Sequence, residues 1–326
     1  MTSRVHVVLG GGGALGAYQA GALLGLLEGG IVPDALYGCS AGALNAAFLA
    51  SRPDESRARE LAAWWQEPTA MRVLSPGWRS HARGIGAVLR ARGQGLLGSG
   101  PLRRLVLDNV PSHDLSELRV PLTVTTTCLD CAEARHHDRG AVADVLVASC
   151  SLPGLFPPVR LPDGHRHVDG GVLEGVPLSP ALAAAGPDDV VLVLDCGLDP
   201  VTGGADTCAA FSPENACGLE VLSTQPAYVA PVERSLGALD VMLQAFTVSR
   251  SYANRHAVRA GLADQRVRVL PHVADAWAAG LLNQLPTGPR DVRQAAALVE
   301  AGQLVAQKWL AAGGAQPSRS SAESAG

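Results

Sequence analysis

The chain lacks any apolar run near the roughly 18–20 residues that a membrane span needs, so a spanning helix is not expected. It is poor in aromatics, at 4%, and carries only one lysine, Lys308, all other basic residues being arginines. That bias reads as genome composition and not as mechanism. There is no excess of positive charge: 26 basic residues face 30 acidic ones, for a net charge of −4. This argues against nucleic acid as the main partner. A disulfide pattern is also missing. The seven cysteines are odd in number and irregular in spacing, as in a reduced cytosolic chain. Cys128-Leu129-Asp130-Cys131 is a lone C-x-x-C. A zinc site would need a second pair or suitably spaced histidines, and His136-His137 do not supply them, so no metal and no cofactor is expected. The N-terminal Val5–Leu9 stretch has no long apolar region of the signal-peptide kind and reads as a first strand. The expected location is the cytoplasm, with peripheral contact at a membrane as an addition.

What is present is apolar and glycine-rich. Of 326 residues, 47% are hydrophobic, 37 are glycine and 22 are proline, enough for a large core with many turns. Short β-branched runs at Val5–Leu9 and Val190–Leu194 read as buried parallel strands, and Val120–Cys128 as a threonine-rich one. Helical patterns follow at 17–24, 41–50, 142–149, 236–260 and 289–312, and a helix start stands at Ser99-Gly100-Pro101. Residues 202–231 have no clear period and read as a long loop. Trp64-Trp65 reads as core packing. The expected organisation is one domain over 1–312 with a disordered tail over 313–326. The expected fold is a three-layer α/β/α sandwich around a mainly parallel sheet.

The chain is organised around Gly38-Cys39-Ser40-Ala41-Gly42. This G-x-S-x-G lies between an expected strand and an expected helix, the context in which such a turn exposes a serine hydroxyl above a sheet. The helix start behind it adds backbone N–H groups and a favourable dipole for a developing anion. Upstream, Gly11-Gly12-Gly13-Ala14-Leu15-Gly16 matches G-x-G-x-x-G after a strand. One reading is a dinucleotide loop. That reading needs an acidic residue at the end of the next strand, where Gly38-Cys39-Ser40 stands instead; Asp34 lies at the wrong end. The other reading is an oxyanion hole, with backbone N–H groups around Gly11, Gly12, Gly13 and Gly16 turned toward one point.

A nucleophilic serine needs a base. His256, expected within a helix, and His272, expected at a strand end, are in order for a triad but sit in no distinctive motif. Asp169 ends a short strand and is followed by Gly170-Gly171. A carboxylate shielded from water gains basicity and can take the serine proton directly. Each motif alone is an ordinary turn, but the three in this order are specific.

In this combination the sequence resembles the patatin-like phospholipases, from about Val5 to about Leu194, including the Ser151-Leu152-Pro153 to Phe156-Pro157-Pro158 stretch. The resemblance implies a Ser40–Asp169 dyad, no metal, and hydrolysis of acyl esters in lipids. One departure is Leu15, where the family often has arginine or lysine; its absence shifts weight from anionic headgroups toward neutral lipids or simple esters. Two other readings compete: a nucleotide-binding oxidoreductase resting on the glycine loop, and a non-enzymatic lipid-binding protein of the same fold. Residues 68–107 hold seven arginines and no acidic residue before Leu107. Interleaved apolar positions there allow docking on an anionic lipid surface, against the commoner fate of paired or solvated charge.

Overall fold

The computed structural model describes residues 3–67, 95, 97–196, 238–270 and 292–314. The expected loop over 202–231, His272, most of the arginine-rich stretch and the tail beyond residue 314 lie outside the described residues.

The strands are β1 (Val5–Leu9), β2 (Ala35–Cys39), β3 (Leu122–Cys128), β4 (Glu133–His137), β5 (Val159–Arg160), β6 (Arg166–Asp169), β7 (Val190–Leu194) and β8 (Val267–Val269). The helices are α1 (Gly16–Glu28), α2 (Ala41–Ala50), α3 (Glu55–Gln66), α4 (Gly100–Asn109), α5 (Val142–Ser149), α6 (Leu178–Ala184), α7 (Ala238–Gly261) and α8 (Val292–Ala311). All eight strands form one sheet, in the order β5-β6-β3-β2-β1-β7-β8, with β4 also paired to β3. The run from β3 through β2, β1 and β7 to β8 is parallel. The pairs of β3 with β4 and β6, and of β5 with β6, are antiparallel.

The parallel strands are apolar on both sides because both sides are covered. Val7, Leu9, Leu36, Leu192 and Leu194 join a core shared with α1, α2, α3, α4, α5 and α8. Their neighbours Val8, Tyr37, Val191 and Val193 face a smaller core with Leu178 of α6 and Val258 of α7. This alternation within each strand gives the three-layer α/β/α architecture. Trp64 and Trp65 are buried in the larger core, as expected. Within α4 the expected apolar face, Leu102, Leu105 and Val106, is buried, and Arg103 pairs with Asp144 of α5.

Four elements differ from what the sequence leads one to expect. β4 is a mostly exposed edge strand of charged and histidine residues, without the apolar alternation that marks a strand. β5 is a two-residue strand directly after Pro157-Pro158, and α6 follows Pro177 in a stretch with no helical period strong enough to mark it. β3 begins at Leu122 and not at Val120.

The register of β3 places the site. β4 pairs with Val124–Cys128, β2 with Leu122–Thr125, and β6 with Thr126–Cys128. A strand has two edges, so β2 and β6 must share the edge opposite β4, end to end. β2 stops at Cys39, opposite Thr125; β6 stops at Asp169, opposite Thr126. The C-terminal ends of the two strands therefore meet head-on, one carrying Ser40 and the other Asp169.

Candidate active site

Ser40 is the turn residue between β2 and α2, with φ 52° and ψ −123°. It is one of two non-glycine residues with positive φ among those described. A conformation this sparsely populated persists only where surrounding structure enforces it. The enforcement is close packing. A β-carbon on Gly42 would stand 2.2 Å from Leu9 O, so α2 lies directly against the end of β1. A β-carbon on Gly38 would likewise stand 2.6 Å from Ala43 Cα. The Ser40 amide donates to Ser149 Oγ at 2.9 Å, and that hydroxyl donates onward to Thr125 O at 2.7 Å. Ser149, in α5, ties the elbow to β3.

Asp169 is buried, at 3% exposure. Its Oδ1 accepts the Gly171 N–H at 2.8 Å and faces the Cys39 thiol at 3.9 Å. Burial pushes the Cys39 thiol well up, so it stays protonated and faces the carboxylate as a weak donor. A β-carbon on Gly170 would lie 2.6 Å from Thr125 O and 2.9 Å from Cys39 Sγ. Only glycine lets β6 end this near β2. Burial raises the Asp169 pKa above the ordinary carboxylate value. Interaction with the Ser40 hydroxyl, the Gly171 amide, the Arg250 charge and the Cys39 thiol offsets that in part. The net result is a carboxylate of increased basicity beside the serine.

Arg250, from α7, is absent from the sequence reading. Its side chain lies over Gly171, where a β-carbon would approach Arg250 Cδ to 2.9 Å. Its Nε is buried with no hydrogen-bond partner among the described residues. Leu15, by contrast, sits in the larger core at 9% exposure. The cation beside this site thus comes from α7 and not from the glycine loop.

The glycine loop runs from the end of β1 through a 3₁₀ turn, Gly13–Leu15, into α1. A β-carbon on Gly11 would sit 3.3 Å from Ser40 Cβ, so loop and elbow touch. The hydrogen bonds narrow the expected donor set. Gly11 N–H is spent on Gly175 O at 2.8 Å, and Gly16 N–H on carbonyls of the 3₁₀ turn. Among the described residues, Gly12 and Gly13 amides have no acceptor. A buried network holds the loop: Trp65 Nε1 donates to Asn45 Oδ1 at 2.7 Å, Asn45 Nδ2 to Gly16 O at 2.9 Å, and Gln19 Nε2 to Gly10 O at 2.8 Å. It links α1, α2 and α3 around the site.

His256 is exposed on α7 and its ring packs at a tilt against Tyr252, with ring centroids 4.2 Å apart. Asp34 accepts the Val5 N–H at 2.7 Å at the opposite end of the sheet, away from the glycine loop.

A mostly parallel sheet between two helical layers, with a serine on a strained strand-to-helix elbow, places this chain among the α/β proteins built around a serine turn. The chain belongs to the patatin-like phospholipase family, whose model matches residues 7–182, more than half of its length. It is 30% identical over 196 residues to patatin-like phospholipase domain-containing protein 7 of Rattus norvegicus, covering 60% of this chain and 14% of that one. It is 28% identical over 176 residues to neuropathy target esterase sws of Drosophila melanogaster, covering 54% of this chain and 12% of that one. The chain thus spans about one seventh of the length of these relatives or less. Among solved structures it is similar to VipD from Legionella pneumophila, at 16% identity and a TM-score of 0.40, covering 66% of this chain and 53% of that one.

Proposed function

We propose that the protein is a serine acyl hydrolase acting on acyl esters of lipids through a Ser40–Asp169 dyad. The observation that carries this reading is the head-on meeting of β2 and β6 on one edge of β3, which brings a strained serine to a buried, basic carboxylate. Ser40 Oγ attacks the ester carbonyl as Asp169 takes its proton. The tetrahedral oxyanion forms against the Gly12 and Gly13 amides, a stabilisation worth about 3–4 kcal/mol where one such donor has been removed elsewhere. Asp169 returns the proton to the leaving alcohol, then activates a water that releases the acid from Ser40. Gly11 and Gly16 shape the loop without donating to the oxyanion, their amides being taken up within the fold. Gly38, Gly42, Gly170 and Gly171 allow the close approaches.

Family membership supports a lipid ester as substrate. Arg250 places a cation beside the reacting centre and so favours esters with an anionic headgroup, despite Leu15 in the loop. Among the described residues no helix is long and apolar enough to cross a membrane, and access to lipid is proposed to be peripheral, from the cytoplasm. The test is hydrolysis of a lysophospholipid and of a short-chain p-nitrophenyl ester by the parent protein and by Ser40→Ala. Turnover in the parent and its loss in the variant support the reading. Lipid binding without turnover in either would instead favour a non-enzymatic lipid-binding role.

A further inference from the structure

The C-x-x-C that sequence spacing leaves without partners acquires one in the fold. Cys128 ends β3, and the chain turns through Leu129 and Asp130 to Cys131 before β4. The Cys131 amide donates to Cys128 Sγ at 3.2 Å. His165, thirty-four residues further on, stands just before β6, and its Nδ1 lies 3.5 Å from Cys131 Sγ. The three ligand atoms all lie within 4.8 Å of one another. Cys128 is buried, while Cys131 and His165 are partly open to solvent.

We infer that Cys128, Cys131 and His165 form a binding site for a borderline-soft divalent cation, Zn²⁺ foremost. Two thiolates and an imidazole suit zinc, with a fourth position left to solvent. Bonds of about 2.3 Å to sulfur and about 2.0 Å to nitrogen at tetrahedral angles put neighbouring ligand atoms roughly 3.5 Å apart, which is the Cys131–His165 spacing. Two thiolates neutralise the cation. The carboxylate nearest in sequence, Asp130, is held by Arg166 Nε at 2.9 Å and is not required as a ligand.

The position gives the site a role. Cys128 pairs across strands with His167, and Thr126 with Asp169. Cys128 therefore lies on the same strand pair as the proposed catalytic carboxylate, two residues or roughly 7 Å along β3 from the partner of Asp169, and His165 stands four residues before Asp169. A cation there would clip the start of β6 to the β3–β4 turn and fix the strand that delivers Asp169. Its contribution is structural, and the inference does not depend on the hydrolytic reading.

The test uses the full chain, purified with a non-thiol reductant, stripped with a chelator and titrated with Co²⁺ and then Zn²⁺. The expected result is one equivalent of Co²⁺ with a thiolate-to-cobalt charge-transfer band and the intense visible bands of tetrahedral coordination. Zn²⁺ should displace it and raise the melting temperature. Cys131→Ser and, separately, His165→Ala should weaken binding by more than about 100-fold, beyond the loss of an outer-shell partner. His136→Ala should bind as the parent does. Binding that persists in His165→Ala, an octahedral cobalt spectrum, or no stoichiometric binding by the reduced parent would overturn the site. The parent titration decides even where a variant fails to fold.

Discussion

The Gly171 amide donates to Asp169 Oδ1 at 2.8 Å, so the carboxylate at the end of β6 keeps one backbone hydrogen bond within an otherwise dry setting. Burial dominates that bond, and the pKa is raised. A base must be unprotonated to act, so activity appears only as pH climbs through this raised value. The acid limb of kcat/KM is expected above the ordinary carboxylate pKa of about 3.9. Arg250→Met removes a charge that favours the ionised form and should move that limb to higher pH. A pH–rate profile of both proteins on a neutral ester checks this; an unmoved limb would separate Arg250 from the base.

The same raised pKa has a consequence for stability. The folded state holds the Asp169 proton more tightly than the unfolded state does. Stability therefore falls as pH rises from the unfolded pKa through the folded one. Asp169→Asn keeps an acceptor for Gly171 and removes the buried charge. It should abolish most turnover, at least ~10²-fold in kcat, yet melt no lower than the parent at pH 7, with a gain on the order of 0.5–2 kcal/mol. Calorimetry at pH 7 checks this, and a clear loss of stability would count against a buried ionised carboxylate.

Ser149→Ala should both weaken the fold and slow the reaction. It leaves the Ser40 N–H without its 2.9 Å acceptor, at a cost of about 1–3 kcal/mol. Denaturant unfolding measures the first effect. A lowered kcat with KM little changed measures the second, because the elbow and not the substrate pocket has moved.

Gly42→Ala should not give a stable protein. The added carbon would meet Leu9 O at 2.2 Å, backbone that cannot give way. A loss above about 4 kcal/mol, or insoluble expression, is expected. Gly13→Ala is the contrast: no atom lies within 4 Å of its added carbon, and the φ of +56° is the remaining strain.

The legible parts of this molecule are those where local chemistry and fold coincide. The strand Val5–Leu9, the elbow at Ser40 and the Asp169-Gly170-Gly171 end announce themselves because apolar runs meet glycines that the packing requires. The rest depends on what the chain brings together at long range. Ser149 and Arg250 are ordinary helical residues until α5 and α7 dock. β4 is an exposed edge of charged and histidine residues, and nothing in its pattern marks a strand. The Gly11 and Gly16 amides fit an oxyanion motif, but Gly175 and the 3₁₀ turn take their hydrogen bonds. His165 lies thirty-four residues from Cys131, too far for spacing to suggest a ligand.

The dyad itself is tested most directly by covalent labelling. The protein is treated with a fluorophosphonate probe, digested, and the modified residue located by mass spectrometry, in parent, Asp169→Asn and His256→Ala. The account predicts modification at Ser40, slowed at least ~10²-fold in Asp169→Asn and unchanged in His256→Ala. Modification elsewhere, or equal labelling rates in parent and Asp169→Asn, would contradict it.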